Sequence, residues 1–123
     1  MKNQKYVDGF VIPIKKKNLA AYKKMAEWGA KTWKKYGALE YFECIGDDLK
    51  VVKGQGMGFK KLTKLKSDEV VVFSWIVYKS KTHRNEVNKK VMTDPGMNDF
   101  SVKDMPFDMK RFVCGGFKPI VEN

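Results

Sequence analysis

Four stretches of the chain combine β-branched and aromatic residues in the way that predicts β-strands. They are YVDGFVIPI at 6–14, ALEYFECIG at 38–46, VVVFSWIVY at 70–78 and KRFVCGGFKPI at 110–120. The third stretch is apolar at nearly every position, so it is the strongest strand prediction of the four. Together these stretches predict a four-stranded sheet.

Two other segments repeat their apolar residues at the three- and four-residue spacing of a helix. The first runs from Leu19 to Tyr36, with lysines on its opposite face, and Gly37 follows as a predicted C-terminal glycine. Asn18 is its predicted N-cap. The second helix is predicted to start after a Ser80 N-cap and to end near Met92.

The predicted element order is therefore β-α-β-β-α-β, with a short helical or extended piece near 59–65 inside the long second connection. With right-handed crossovers, this order predicts an α+β fold of the ferredoxin-like type. Its four-stranded antiparallel sheet would carry both helices on one face. We expect residues 1–123 to form a single domain, since a chain of this length is usually one domain.

The third strand is apolar on both of its faces, which has a consequence for assembly. Val71, Phe73, Trp75 and Val77 point one way, and the alternate residues from Val70 to Tyr78 are also mostly apolar. Two helices cover one face of such a sheet, and the other face needs a second cover. We therefore expect a homodimer in which two sheets meet face to face.

The formal net charge of +11 raises the question of a nucleic-acid or membrane partner. The third strand carries no basic residue among its aromatics, unlike RNA-binding sheets of similar topology. We therefore expect nucleic acid to bind only weakly, through charge. No apolar run is long enough for a membrane helix, and two cysteines are too few for a disulfide scaffold, so we expect a cytoplasmic protein without a membrane partner.

Several long strings resemble one known family. They are YVDGFVIPI, GALEYFECIGDD, VVFSWIVYKS, HRNEVNKKVMTDP and the stretch from MPFD to KRFVCGGF. In this order they are similar to the YbaA-like family, a domain of unknown function placed among the dimeric α+β barrels. The resemblance implies the fold and dimerisation, but no reaction. Related barrels host cofactor-independent monooxygenases, haem-degrading enzymes and ligand binders, and fold alone does not choose among them.

Asp8, Glu43 and Ser74 are the polar residues that interrupt apolar strands, and buried carboxylates are costly unless they are paired. Asp8 is the candidate catalytic residue, since a carboxylate facing a barrel cavity can act as a base. Alternatively, it forms a structural salt bridge, for instance with Arg111, and Glu43 lies on an exposed edge. The predicted ligand-binding residues are Tyr6, Phe10, Glu43, Phe73, Ser74, Trp75 and Arg111.

Other features that resemble sites have simpler interpretations. Cys44 and Cys114 are expected to be small buried hydrophobic residues, because no base or helix N-terminus is close to them in the sequence. Gly54, Gly56 and Gly58 lack the spacing of a dinucleotide-binding turn and predict a basic loop. We expect neither a metal nor a cofactor, because His83 is the single histidine and no ligand spacing for a metal is seen.

Three hypotheses for function follow. The first is a homodimer that binds a small, partly apolar ligand in the barrel cavity, with Phe10, Phe73 or Trp75 as aromatic lining. The second is a cofactor-independent enzyme, monooxygenase-like or isomerase-like, that uses Asp8. The third is a basic protein that binds nucleic acid without sequence preference.

Overall fold

The computed structural model describes residues 4–100 and 105–123, and it contains the predicted strands and helices. The short helical or extended piece expected near 59–65 in the long second connection is a helix. The elements are β1 (Tyr6–Lys15), α1 (Leu19–Lys35), β2 (Glu40–Ile45), α2 (Phe59–Thr63), β3 (Glu69–Tyr78), α3 (Lys81–Met92) and β4 (Val113–Phe117). In addition, 3₁₀ turns span Lys16–Asn18 and Pro95–Asp99. Among the described residues, no helix is both long and apolar enough to cross a membrane.

The four strands form one antiparallel sheet in the order β2-β3-β1-β4. This confirms the predicted α+β fold with a four-stranded antiparallel sheet. The register pairs Ser74 with Phe10 on one side and with Glu43 on the other, and it pairs Phe10 with Cys114. Residues that pair directly across strands point to the same face, so these four side chains share one face of the sheet.

That face is covered by α1 and α3, and the core lies beneath them. One cluster of buried residues contains Tyr78, Ile76, Val87 and Val91, and Trp33 packs against it. A second cluster is formed by Ile12, Ile14, Tyr22 and Val72. Burying an aliphatic or aromatic side chain of this kind stabilises the fold by about 1.5–3 kcal/mol. The helices are therefore held mainly by their apolar stripes.

The three predicted helix-terminal residues lie at the ends of the helices, as predicted. The Ser80 side chain accepts a hydrogen bond of 3.0 Å from the backbone N–H of His83 at the start of α3. Gly37 adopts a φ of 115° directly after α1, a conformation that glycine reaches without strain. Asn18 occupies the N-cap position of α1, as predicted, but its side chain makes no capping hydrogen bond. A 3₁₀ turn leads into α1, and the backbone of Asn18 is already in the helical region.

The opposite face of the sheet is largely uncovered, and we call it the open sheet face. It is formed by Val7, Val11, Phe42, Phe73, Trp75, Val113 and Phe117, which the register places in adjacent rows. Phe42 is 49% exposed, and its ring stacks on Trp75 with 5.0 Å between centroids. The short helix α2 covers one end of this face, where Phe59 contacts Phe73.

Candidate functional site

A cavity of about 620 Å³ lies between the covered face of the sheet and the helices α1 and α3. Its walls are mostly apolar, with aromatic residues such as Phe10, Trp28 and Trp33 and methionines such as Met25 and Met97. Cavities of roughly 300–1,000 Å³ with apolar walls and a few polar groups are the usual form of small-molecule sites. Methionine side chains adapt their shape to a partner, so the walls suit an apolar or aromatic body.

The chain that follows α3 closes another side of the cavity. Phe100, Phe107 and Phe112 contribute aromatic rings there, and Phe107 stacks on Phe112 with 5.2 Å between centroids. Phe107 also meets the Tyr22 ring edge-on at 5.9 Å, which joins this part of the chain to α1. Such pairs each add about 0.5–1.5 kcal/mol beyond simple burial. The aromatic contacts thus position Phe107 and Phe112 against the cavity.

The first polar group in the cavity is an ion pair between β1 and α3. The Nε atom of Arg84 lies 3.3 Å from Oδ1 of Asp8, and the two side chains are 24% and 13% exposed. This contact is not a hydrogen bond, and the buried Nε–H of Arg84 has no hydrogen-bond acceptor among the described residues. Arg84 also donates a hydrogen bond of 3.2 Å to the Tyr6 hydroxyl and stacks over the Tyr6 ring.

A second polar contact connects both helices with the sheet. The Asn88 side-chain oxygen accepts hydrogen bonds from Trp33 Nε1 at 3.0 Å and from the Tyr78 hydroxyl at 3.2 Å. Tyr78 is fully buried. Burial raises the pKa of Tyr78, and the charge of Asp8 raises it further. The phenol therefore stays protonated as a donor.

The third polar group is Glu43, which β2 presents to the cavity between two tyrosines. The Tyr41 hydroxyl donates to Oε2 of Glu43 at 2.6 Å, and the Tyr22 hydroxyl donates to Oε1. Burial raises the pKa of both tyrosines, and the Glu43 charge raises it further. Both phenols are thus fixed as donors. Among the described residues, no basic nitrogen lies within 4 Å of the Glu43 carboxylate.

The structure brings four of the predicted site residues together in the cavity wall, namely Asp8, Phe10, Glu43 and Ser74. Tyr6 lies next to them, because its hydroxyl accepts a hydrogen bond from Arg84. Glu43 faces the cavity and not an exposed edge, since it pairs with Ser74 in the register. The alternation of the strands places these side chains on one face.

The other three predicted site residues need correction. Phe73 and Trp75 lie on the open sheet face, because they alternate with Ser74, which lies in the cavity wall. Arg111 is not in the wall either, and it does not pair with Asp8. Its guanidinium pairs with Glu69, and its Nε donates to Asp108 at 3.0 Å. Asp8 pairs with Arg84 instead.

Several polar residues of the site were absent from the predicted set, among them Tyr22, Tyr41, Arg84 and Asn88. Tyr41 was predictable from the sequence, because it lies two residues before Glu43 and therefore on the same face of β2. Tyr22 belongs to the apolar stripe of α1, where a tyrosine is indistinguishable from a core residue. Arg84 and Asn88 lie four positions apart on α3, so they share a helix face, but the sequence does not say what that face meets.

The remaining candidates are explained by local structure. Both cysteines are free and exposed, so the prediction that Cys44 and Cys114 are buried is wrong. His83 accepts a hydrogen bond on Nδ1 from the backbone N–H of Lys79 at 3.0 Å. Within residues 4–100 and 105–123, no group of three or more histidine, cysteine, aspartate or glutamate side chains is arranged to hold a metal ion.

Comparisons with known proteins agree with the resemblance seen in the sequence. Residues 5–109 match the family described as "Protein of unknown function (DUF1428)". The chain is 43% identical over 118 residues to the uncharacterized protein YbaA of Escherichia coli strain K12. The aligned residues cover 96% of this chain and 98% of that protein. The uncharacterized YbaA proteins of Escherichia coli O157:H7 and Shigella flexneri match with the same identity and coverage. The chain therefore belongs to the DUF1428 family of YbaA-like proteins, whose function is unknown.

Proposed function

We propose that this protein binds a small, partly apolar molecule in the cavity between its sheet and its two long helices. The cavity itself is the observation that carries the proposal, because about 620 Å³ of space is bounded by aromatic and methionine side chains. A packed protein interior normally leaves few voids larger than a water molecule. Three polar groups, at Asp8, Asn88 and Glu43, provide the points at which a ligand is oriented.

Binding accounts for the site better than the enzyme alternative that uses Asp8. The Asp8 carboxylate lies 3.3 Å from the Arg84 guanidinium, and it is 13% exposed. A buried ion pair of this kind is a usual structural element. A catalytic base must come within hydrogen-bond reach of the proton that it abstracts, whereas this carboxylate is already paired with Arg84.

We include homodimerisation through the open sheet face in the proposal. The central rows of this face contain Phe42, Phe73, Trp75 and Phe117 and no lysine or arginine. Nucleic-acid-binding sheets place basic residues beside their exposed aromatics, so this face suits another apolar surface better than a phosphate backbone. A second copy offers an apolar face of the same size, which a two-fold axis brings into contact. The two free cysteines suit a reducing cytoplasm.

Native mass spectrometry of protein purified from cells, with no ligand added, tests the binding proposal. A matched pair of variants in α1 separates cavity binding from surface binding. Ala26→Phe fills the cavity, because Ala26 lies in its wall, whereas Ala21→Phe adds the same ring to the exposed side of the helix. We expect a discrete bound mass with the wild type and with Ala21→Phe, and its loss with Ala26→Phe.

The neutral fluorescent probe N-phenyl-1-naphthylamine serves when the natural ligand is lost during purification. We expect its fluorescence to rise with the wild type and with Ala21→Phe, and to stay low with Ala26→Phe. An absence of both bound mass and probe binding in the wild type overturns the proposal. Equal binding by Ala26→Phe also overturns it, because the molecule then lies elsewhere, for instance on the open sheet face.

A further inference from the structure

Glu43 is a carboxylate of the cavity wall that has no basic partner among the described residues. Tyr22 donates to one carboxylate oxygen and Tyr41 to the other, so each oxygen receives a single hydrogen bond from these phenols. An ionised carboxylate offers about four acceptor positions. Two positions therefore remain for a donor on a bound molecule. The phenols cannot satisfy them, since each hydroxyl has one proton.

The charges around the cavity favour a positive ligand. Asp8 and Arg84 form an ion pair in the wall, and their formal charges cancel. Glu43 lies in the same wall, and among the described residues no basic nitrogen is within 4 Å of its carboxylate. The many lysines give the protein its net charge of +11. Most described lysines are exposed, and their field is screened over about 8 Å at physiological ionic strength.

Aromatic rings adjoin Glu43 in the wall. The ring centroids of Tyr41 and Trp33 are 6.1 Å apart. Those of Trp33 and Trp28 are 6.4 Å apart, in an edge-on arrangement. On the other side, Tyr22 contacts Phe107 at 5.9 Å. The faces of tryptophan and tyrosine rings attract cations that lie within about 6 Å of the ring centre. A carboxylate beside several such rings is the combination that recognises substituted ammonium groups.

We propose that the cavity selects a small organic cation, an ammonium group on an apolar or aromatic body, with Glu43 as its counter-ion and Trp33 and Tyr41 as its aromatic walls. This inference rests on the proposed ligand binding and specifies its chemical class. The ammonium N–H groups would face Glu43, and the apolar body would extend toward the methionines of the cavity.

Three probes of similar size and different charge test the inference. They are 2-methyl-1-phenyl-2-propylammonium, which is a cation, 2-methyl-1-phenyl-2-propanol, which has the same shape and is neutral, and 3-phenylpropionate, which is an anion. Each competes with N-phenyl-1-naphthylamine for the cavity, and the displacement is followed by fluorescence. We expect the cation to displace the probe at about a tenfold lower concentration than the neutral alcohol. The anion should be the weakest competitor of the three.

Glu43→Gln removes the charge and keeps the shape of the side chain. We expect this variant to lose the preference for the cation while it binds the neutral alcohol as before. The matched control is Glu40→Gln, because Glu40 lies on the same strand, is exposed and alternates with the cavity positions. Glu40→Gln should keep the full preference. If Glu43→Gln does not fold, Tyr41→Phe gives the answer, because it keeps the ring and frees one carboxylate oxygen.

We expect Tyr41→Phe to keep the preference for the cation or to increase it, and a complete loss overturns the inference. Equal competition by the cation and the alcohol in the wild type also overturns it. In that case binding of N-phenyl-1-naphthylamine still supports the proposed function, so the two failures are distinct. If the wild type carries no bound mass and does not bind this probe, both proposals are overturned.

Discussion

The Arg111 guanidinium forms a two-pronged ion pair with the Glu69 carboxylate and thereby joins the chain before β4 to the start of β3. Arg111 donates one hydrogen bond of 2.9 Å to Oε1 of Glu69 and a second to Oε2. The Glu69 side chain is 2% exposed. The same guanidinium donates to the backbone carbonyl of Thr63 at the end of α2. One arginine therefore ties three elements together at one end of the sheet.

Arg111→Met should destabilise the protein strongly. The substitution leaves the Glu69 carboxylate buried without a cation, which typically costs about 3–5 kcal/mol. Urea denaturation followed by circular dichroism measures the loss. Lys110→Met is the control, because Lys110 is adjacent and exposed, and it should change the free energy of unfolding little. Equal stability of the two variants would show that the ion pair is dispensable.

The same pair predicts how stability depends on pH. Arg111 lowers the pKa of Glu69 to about 2 from its usual 4.5, and the backbone N–H of Lys66 adds to this effect. A carboxyl group whose pKa is lowered by folding stabilises the native state above its unfolded pKa. This contribution is lost as the pH falls through the folded pKa. It amounts to about 3 kcal/mol at neutral pH.

Glu69→Gln isolates this contribution. We expect the difference in unfolding free energy between the wild type and Glu69→Gln to shrink steadily as the pH falls from about 4.5 to about 2. Other carboxyl groups titrate in both proteins, so their effects cancel in the difference. Urea denaturation at several pH values gives the result. A difference that stays constant across this range would contradict the prediction.

Asp8 and Arg84 should be coupled in a double-mutant cycle. Their side chains are mostly buried, so we expect a coupling free energy of about 1 kcal/mol or more between Asp8→Asn and Arg84→Met. Lys35 and Asp94 form the control pair, since their separation of 3.4 Å is similar but Lys35 is 65% exposed. That pair should show the weaker coupling, because water screens it. The same or stronger coupling in the control would argue against a structural role for the Asp8 pair.

Tyr22, Tyr41 and Tyr78 should resist ionisation until the protein unfolds. Burial raises the pKa of all three above the usual value of 10. The native state then keeps these protons when the unfolded state releases them, so stability falls as the pH rises above about 10. Absorbance at 295 nm, recorded beside circular dichroism, shows whether ionisation of these three tyrosines coincides with unfolding.

Glu43→Gln tests the cause of these shifts. The Glu43 charge contributes to the raised pKa of Tyr22 and Tyr41, whereas Asp8 contributes to that of Tyr78. We expect Tyr22 and Tyr41 to ionise at lower pH in this variant than in the wild type, whereas Tyr78 should still ionise only with unfolding and serves as an internal control. Single phenylalanine substitutions assign each step of the absorbance titration. If all three tyrosines shift together, a loss of packing explains the change better than the lost charge.

The sequence carries most of the information on the elements and less on the site. Apolar periodicity predicted the strands and the two long helices, because each element buries one stripe of side chains. It did not show which face of β3 the helices cover, since Phe73 and Trp75 on one face are as apolar as Ile76 and Tyr78 on the other. When both faces of a strand are apolar, the alternation of its side chains does not show which face lies toward the core. For this reason the sequence pattern predicts Phe73 and Trp75 in the cavity, whereas they lie on the open sheet face.

The sequence pattern also does not predict which residues meet when they are far apart in the chain. Asp8 meets Arg84 from α3, and Glu43 meets Tyr22 from α1, and both contacts depend on how the helices cross the sheet. Arg111 precedes β4 and turns toward Glu69. Local pattern identified the polar strand positions correctly, because a carboxylate in an apolar strand is costly without a partner. It could not identify the partner that offsets this cost.

A single charge placed on the open sheet face should dissociate the proposed dimer. Phe73 lies on the central strand β3 and is 45% exposed, so Phe73→Glu disturbs the folded subunit little. In a face-to-face dimer this position would be buried, and an unpaired carboxylate there is costly. We expect the wild type to sediment as a dimer at micromolar concentration and Phe73→Glu to sediment as a monomer. Ile120→Glu is the matched control, because Ile120 is 93% exposed and lies outside the strands, and it should remain a dimer.

Sedimentation velocity at several concentrations separates the outcomes, and circular dichroism confirms that each variant is folded. A dimer that persists in Phe73→Glu would show that the subunits meet through another surface. A wild-type monomer at all concentrations would show that the open sheet face is not covered by a second copy. The basic surface and the exposed aromatics would then favour a different partner, and nucleic acid would be the first to test. Its binding should weaken steeply between low and moderate salt, because it depends on charge.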